Sequence, residues 1–129
     1  MDLNQIKTIA IIGLSDKPDR PSFQVGQYLL TQGYKIIPIN PNITQVFGQK
    51  SYPNITSIPA EIYIDIFDIF RKSEDVESVI QEIIDSGRQG IIWLQEGIDN
   101  QKAVDLATAH GYQITSGLCL MKYYQNQKT

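Results

Sequence analysis

Cysteine and histidine are almost absent from the sequence, with one of each among its 129 residues. The lone cysteine, Cys119, excludes an internal disulfide and a zinc site built from several cysteines. Long apolar runs are absent as well, and the short run near the N-terminus is not followed by a small-residue cleavage site. We therefore expect a cytoplasmic protein that has no membrane partner.

Positive charge is scarce too: 11 Lys and Arg residues stand against 14 Asp and Glu residues, for a net charge of -3. This balance argues against a protein that coats nucleic acid, so we expect no nucleic-acid partner. The hydrophobic fraction of 42% and the charged fraction of 19% favour a folded chain over a disordered one. The length is that of one domain, and we expect residues 1–129 to form it.

Apolar runs alternate with helical stripes along the chain. The predicted strands are residues 8–13, 34–39, 62–69, 90–94 and 112–115. The predicted helices are residues 23–32, 100–110 and a segment that starts at Ser73 as its N-cap and stops at Gly87, with a final turn or short helix in 118–124. This alternation predicts an α/β fold, a doubly wound, mostly parallel five-stranded sheet with helices on both faces.

Open sheets of this kind bind ligands at the carboxyl ends of their strands. The segments that follow the five predicted strands are residues 13–22, 40–42, 70–72, 95–97 and 116–119. Residues 41–59 form the one long irregular stretch, and a loop of that length is more often functional than idle. We therefore expect one crevice at this edge of the sheet.

The first of these segments suits a phosphate. Gly13 lets the backbone turn sharply, and Pro21 fits the first position of a helix, whose free N–H groups stabilise an anion. Hydroxyl and cationic side chains in the same loop add donors: Ser15, Lys17, Arg20 and Ser22. The alternative is that Gly13 makes only a tight turn and that the basic side chains are solvated, since one glycine after a strand is a weak motif.

The end of the second strand narrows the choice of ligand. Enzymes that bind NAD usually place Asp or Glu there to accept hydrogen bonds from a ribose, whereas this chain has Asn40. An amide does not repel a phosphate on that ribose, and Arg71 and Lys72 follow the third strand near the same rim. The missing carboxylate and the nearby cations disfavour NAD as the ligand and leave two candidates. These are NADP and coenzyme A, and the ribose of coenzyme A carries a 3′-phosphate.

Four segments occur in the same order and with similar spacing in a known family. They are "GLSDKPDRPSFQVGQYLLTQGYKIIPINP", "GQKSYPNITSIP", "DIFDIFRKSEDV" and "IIWLQEGI". Through them, residues 9–119 resemble the small stand-alone CoA-binding domain proteins, which are similar to the CoA-binding domain of the succinyl-CoA synthetase alpha chain. The combined pattern is specific, although no single segment is.

The resemblance implies a Rossmann-like CoA-binding fold and a set of ligand contacts. By position these contacts fall on Gly13, Leu14, Ser15, Arg20, Ser22, Val25, Asn40, Pro41, Phe70, Arg71, Trp93 and Gln95. Lys17 and Pro21 join the predicted site from the loop analysis above. Cys119 and Lys122 keep their family positions, but Ser116 and Gly117 stand about where relatives carry an acid–arginine pair.

No residue pattern indicates catalysis. Synthetase chemistry needs a phosphorylated histidine, yet His110 lies at the predicted end of a helix, where a cation suits the helix dipole. Cys119 is interpreted as mainly structural, and Asp65 and Asp68 fall on opposite faces of the predicted strand. We therefore predict neither a catalytic residue nor a metal ligand.

The predicted function is a small, non-catalytic binding module for coenzyme A or an acyl-CoA. Two alternatives stay open: an NADP-binding or NADP-sensing Rossmann protein, and an interaction protein with a vestigial nucleotide pocket. A homodimer formed through an exposed helix or an edge strand is compatible with this class of sheet, although no residue pattern indicates one.

Overall fold

A computed structural model describes residues 3–128, and a five-stranded parallel sheet forms its centre. The strands are β1 (Thr8–Ile12), β2 (Lys35–Ile39), β3 (Gln45–Val46), β4 (Gln49–Lys50), β5 (Ile66–Ile69), β6 (Ile91–Leu94) and β7 (Ile114–Ser116). The helices are α1 (Pro21–Thr31), α2 (Val76–Ser86), α3 (Gln101–Ala109) and α4 (Leu120–Lys128). The central sheet has the order β2-β1-β5-β6-β7, which confirms the predicted doubly wound α/β fold.

Both faces of the sheet are buried. On one face, side chains of the sheet pack against α2 and α3 through residues such as Ile80, Ile83 and Ala107. On the other face they pack against α1 and α4 through residues such as Leu29 and Leu120. Strands covered on both sides favour apolar residues on both faces, which explains why they form nearly continuous apolar runs in the sequence.

Three helix ends follow from single residues. Pro21 begins α1, where its missing N–H costs nothing. Gly87 ends α2 in the left-handed conformation with φ of 72°, which favours glycine. Asn100 caps α3, because its side chain accepts a hydrogen bond from the backbone N–H of Ala103 at 3.0 Å. The stop at Gly87 and the start of α3 at Asn100 agree with the predicted boundaries, and Pro21 takes the predicted first helical position although the predicted segment began at residue 23.

The third predicted strand, residues 62–69, is wrong in its first half, because β5 begins only at Ile66. Before it, the backbone N–H of Ile62 donates to the carbonyl of Pro59 at 3.1 Å and forms a turn. The carbonyl of Ile62 accepts the guanidinium of Arg88 at 2.7 Å instead of a neighbouring strand. In this segment Ile64 is buried in the core whereas Tyr63 is 63% exposed, so only part of its apolar pattern serves packing.

Ser73 is not the N-cap of a long helix, which corrects the prediction. A short 3-10 turn (Ser73–Asp75) comes first, and Asp75 occupies the N-cap position of α2 without a side-chain hydrogen bond. The hydroxyl oxygen of Ser73 accepts the backbone N–H of Asp99 at 2.9 Å, and its carbonyl accepts the side-chain amide of Asn100 at 2.7 Å. Ser73 thus joins the start of α2 to the start of α3.

Two further segments contain more structure than predicted. Residues 41–59 include the antiparallel hairpin of β3 and β4, and a 3-10 turn (Ile55–Ser57) that Asn54 caps. Tyr52 extends the edge of the sheet, since its N–H donates to the carbonyl of Pro38 at 3.0 Å. At the C-terminus, the predicted turn or short helix in 118–124 is the longer helix α4, whose buried Tyr124 packs on the edges of the rings of Tyr28 and Tyr34.

The guanidinium of Arg88 holds the loop before β5. It donates to three carbonyls, those of Ile62 at 2.7 Å, Ile58 at 2.9 Å and Pro59 at 3.0 Å. Arg88→Ala would leave these carbonyls without their donor, so we expect the free energy of unfolding to fall by about 2–3 kcal/mol. Urea denaturation measures this, with Lys102→Ala on the exposed side of α3 as the control. Equal stability of the two variants would show that water replaces the guanidinium without cost.

Candidate ligand-binding site

The strand order places a switch point of the winding between β1 and β5. From β1 the chain continues to β2 on one side, and from β5 it continues to β6 on the other. The loops after β1 and β5 therefore diverge, which is the place where open α/β sheets bind ligands. Gly13 and Phe70 are the first residues after these two strands.

Gly13 lies in close contact with the loop after β5. Its φ is +94°, and a Cβ at this position would collide with the carbonyl oxygen of Phe70 and with Nη1 of Arg71. Its N–H donates to the carbonyl of Ile39 at 2.8 Å, so the same residue also contacts the end of β2. Glycine is needed here both for the positive φ and for the close approach of the two loops.

The loop between β1 and α1 is folded by its own hydroxyl groups. Oγ of Ser22 accepts the N–H of Ser15 at 2.9 Å, and Oγ of Ser15 accepts the N–H of Lys17 at 3.0 Å. Arg20 occupies the N-cap position of α1, and its side chain makes no capping hydrogen bond. The first turn of α1 therefore offers backbone N–H groups to an external acceptor, as anion sites at helix N-termini do.

Asn40 has a structural role that the sequence analysis missed. Its Nδ2 donates to the carbonyl of Leu14 at 2.9 Å, and its Oδ1 accepts the N–H of Asn42 at 2.9 Å. Its own carbonyl accepts the hydroxyl of Ser51 at 2.9 Å. The side chain thus ties the loops after β1 and β2 together. The sequence Asn-Pro-Asn is a turn motif that could have indicated the second of these bonds.

A cavity of about 580 Å³, the first cavity, lies between these loops. Many of the predicted site residues line it: Gly13, Ser15, Lys17, Arg20, Pro21, Ser22, Asn40 and Phe70. Asp16, Asn42 and Ile43 complete its wall; Asp16 and Asn42 lie in segments expected at the crevice, but none of the three was a predicted contact. The lining therefore carries two cationic side chains, one carboxylate and two hydroxyl groups around the start of α1.

A second cavity, of about 510 Å³, shares Pro21 and Phe70 with the first. The other residues that line it come from the loops after β5 and β6: Arg71, Lys72, Ser73, Gln95, Glu96, Gly97 and Ile98. Arg71 and Gln95 among them were predicted. Burial lowers the pKa of the Arg71 guanidinium, and the nearby carboxylates of Asp75 and Glu82 partly offset this. Together the two cavities form an elongated crevice at the switch point.

Four predicted site residues line neither cavity. The side chains of Leu14, Val25 and Trp93 are buried in the core between the sheet and helices α1 and α4. Nε1 of Trp93 donates to the carbonyl of Leu118 at 2.9 Å, and its ring packs against Tyr123. Pro41 is exposed beside Asn40. Any ligand contact from the three buried residues must come through their backbone or through packing.

Cys119 and His110 line neither cavity. The thiol belongs to a residue that is 5% exposed and lies in the core beneath α4. The ring of His110 is exposed at the end of α3, with Nδ1 at 3.0 Å from the carbonyl of Leu106. Within residues 3–128, no group of three or more His, Cys, Asp or Glu side chains could hold a metal ion.

Three side-chain oxygens within residues 3–128 are buried without a hydrogen-bond partner: Oδ1 and Oδ2 of Asp68, and Oε1 of Gln95. Asp68 is fully buried in β5, in register with Ile11 of β1 and Trp93 of β6. Burial raises the pKa of its carboxyl well above the ordinary value, because the charged form loses its hydration. Asp65, by contrast, lies before β5 and accepts the N–H groups of Lys7 and Thr8, each at 2.9 Å.

A sequence model for the CoA binding domain matches residues 7–125 of this chain. The chain belongs to the CoA binding domain family. An uncharacterised protein of Bacillus subtilis strain 168, YneT, is 35% identical over 118 residues, which cover 92% of this chain and 85% of that protein. A hypothetical protein of Pyrococcus horikoshii OT3 has a solved structure with a TM-score of 0.90 and 31% identity, over 98% of this chain and 87% of that one.

Some relatives in the CoA binding domain family are much longer. An ADP-forming acetate–CoA ligase II of Archaeoglobus fulgidus is 29% identical over 124 residues, which cover 88% of this chain but 18% of the ligase. The chain therefore spans about a fifth of that enzyme. Within residues 3–128, no helix of this family member is long and apolar enough to cross a bilayer.

The buried carboxyl of Asp68 predicts a stability that falls as pH rises. In the unfolded chain this group ionises above about pH 4, whereas the folded chain keeps it protonated, so unfolding releases a proton. Asp68→Asn has no proton to release. The stability of the variant relative to wild type should therefore grow by up to about 1.4 kcal/mol per pH unit above pH 4, and level off once Asp68 ionises in the folded protein.

Urea denaturation of both proteins between pH 3 and 9 measures this difference. Asp19→Asn, the same substitution at an exposed position, is the control. A constant difference between Asp68→Asn and wild type across this range would contradict the prediction.

Proposed function

We propose that the crevice binds coenzyme A or an acyl-CoA, with the diphosphate at the start of α1. The observation that carries this proposal is the uncapped first turn of α1, which lies beside Ser15 and Ser22 in a cavity with two cationic side chains. Each serine hydroxyl accepts one backbone N–H but keeps its own proton for a phosphate oxygen. Lys17 and Arg20 supply the charge that a diphosphate needs.

The polar end of the crevice suits an adenosine with a phosphorylated ribose. No carboxylate follows β2, where Asn40 stands, so this edge does not repel a 3′-phosphate. Phe70 offers an apolar wall that the two cavities share. Membership of the CoA binding domain family and the likeness to ADP-forming acetate–CoA ligases support the same ligand class.

The second cavity gives the ligand room for a long, uncharged arm. It adds about 510 Å³ next to the first cavity and extends between the loops after β5 and β6. Coenzyme A has this shape, with an anionic nucleotide at one end and a pantetheine arm at the other. NADP shares the extra phosphate but would place a second nucleotide in the same space.

We propose that the chain binds this ligand without performing chemistry on it. The crevice is lined mainly by backbone N–H groups, hydroxyls, amides and cations, with one carboxylate in each cavity, Asp16 and Glu96. Cys119 is buried in the core and His110 is exposed on α3, so neither side chain lines the crevice. The role assigned to the module is to hold the nucleotide and to present the end of its arm.

Isothermal titration calorimetry with coenzyme A, acetyl-CoA, NADPH and NADH tests the proposal. We expect the two CoA compounds to bind more tightly than either dinucleotide. Arg20→Ala should weaken the binding of coenzyme A by about 1–3 kcal/mol, because it removes a charge-assisted contact to phosphate. Lys35→Ala, an equal change of charge at the opposite end of the sheet, should leave the affinity unchanged.

Other outcomes of the titration separate the competing functions. Binding of NADPH without binding of coenzyme A would replace the proposal by an NADP-binding function. An absence of both heat and a rise in Tm with all four ligands is the result expected for the remaining alternative, an interaction protein with a vestigial pocket. A wild-type affinity in Arg20→Ala would remove this side chain from the phosphate site.

A further inference from the structure

The unpartnered oxygens of Asp68 and Gln95 lie on the same face of the sheet. Asp68 is in register with Trp93 on the neighbouring strand, and Gln95 follows Trp93 by two residues. Because side chains alternate along a strand, Gln95 shares the face of Asp68 and occupies the diagonal position one step nearer the crevice. A long side chain at a diagonal position can reach its neighbour across the strands.

In the orientation of the Gln95 amide that the structure shows, a neutral Asp68 supplies the donor that these atoms lack. An ionised Asp68 would place two buried acceptors on the sheet face that also carries a third, Oε1 of Gln95, with no donor to any of them among the described residues. A neutral carboxylic acid carries one O–H donor, and Oε1 of Gln95 is an enclosed acceptor that lacks one. Its neighbours in register, Ile11 and Trp93, offer no charge to stabilise a buried carboxylate.

The amide of Gln95 connects this buried group to the crevice. Gln95 is 7% exposed and lines the second cavity, where the proposed function places the arm of coenzyme A. Its Oε1 is enclosed and unpartnered, whereas Nε2 is not among the enclosed atoms that lack a partner. An amide whose Oε1 is directed toward Asp68 presents its N–H donors on the opposite side, toward the cavity.

We propose that Asp68 is a positioning residue: a neutral carboxylic acid that donates to Oε1 of Gln95 and thereby directs Nε2 of Gln95 toward a carbonyl group of the ligand's arm. The ligand part of this inference rests on the proposed function. The acceptor is an amide carbonyl of the pantetheine arm or the carbonyl of a thioester. Gln95 touches the ligand, and Asp68 acts through it without touching the ligand.

Infrared spectroscopy at pH 7 tests the buried hydrogen bond without any ligand. The wild-type minus Asp68→Asn difference spectrum should contain the carbonyl stretch of a protonated carboxyl. Gln95→Met removes the acceptor Oε1, so in this variant the carbonyl band of Asp68 should shift toward the frequency of a carboxyl that has no hydrogen bond. Carboxylate bands in the difference spectrum, or a band that Gln95→Met does not move, would overturn the proposal.

A double-mutant cycle of Asp68→Leu and Gln95→Met tests the effect on the ligand. The probes are coenzyme A and adenosine 3′,5′-bisphosphate, which keeps the nucleotide end but lacks the arm. Gln95→Met should raise the Kd of coenzyme A about three- to tenfold, the value of one hydrogen bond. Asp68→Leu should raise the Kd of coenzyme A by a similar factor, and the double variant should lose no more affinity than Gln95→Met alone. Adenosine 3′,5′-bisphosphate should bind the wild type and all three variants equally.

Asp68→Asn is the conservative variant, since its amide can still donate to Oε1 of Gln95, and it should keep the wild-type affinity for coenzyme A. The positioning role would be overturned if Asp68→Asn lost as much affinity for coenzyme A as Asp68→Leu. It would also be overturned if the losses of affinity were additive in the double variant. Thermal melts check that each variant is folded before its binding is measured. If Asp68→Leu does not fold, Asp68→Ala replaces it.

The two proposals fail in different ways. If neither coenzyme A nor adenosine 3′,5′-bisphosphate binds the wild type, the proposed function falls, while the infrared result still decides the bond between Asp68 and Gln95. If both probes bind and all variants bind coenzyme A alike, the proposed function stands and the positioning role falls.

Discussion

The close approach of two loops at the carboxyl ends of β1 and β5 is the constraint on which the crevice depends. Gly13 leaves room for the carbonyl of Phe70 and the guanidinium of Arg71, and its N–H holds the end of β2. From this point the chain turns toward α1 on one side, and the loop after β5 turns toward α2 on the other. A side chain at position 13 would push these loops apart and would displace Phe70, the wall that both cavities share.

Much of the fold is encoded locally and could be predicted. Runs of apolar residues between glycines give the parallel strands, while Pro21 and Gly87 fix helix ends because each acts through its own backbone. The errors arise where distant residues compete. Nothing in the apolar pattern around Ile62 shows that its carbonyl bonds to Arg88, 26 residues later. Likewise Ser73 is a good cap by type, yet its hydroxyl is taken by the backbone of Asp99.

The residues of the candidate site also fall into those that a local pattern predicts and those that depend on distant residues. The loop that follows Gly13 could be found from sequence, because hydroxyl and cationic side chains between a strand and a helix start are a local pattern. The structural role of Asn40 depends in part on the carbonyl of Leu14, 26 residues away. The lack of a hydrogen-bond partner for the Asp68 carboxyl is harder still to predict, because it depends on the absence of donors among the residues that surround it in the fold. A single Asp inside an apolar strand was the only available indication.

The charge of the chain explains why neutral donors matter in this crevice. A protein with a net charge of -3 repels an anionic nucleotide at long range, and the exposed carboxylates of Glu74, just before α2, and of Glu77 and Asp85 on α2 add to this. Binding must then come from short-range contacts: the N–H groups at the start of α1, the serine hydroxyls and two cations. A charged Asp68 on the same sheet face would work against them. A carboxyl that stays neutral adds no such repulsion, and its proton can still orient a donor toward the uncharged arm of the ligand.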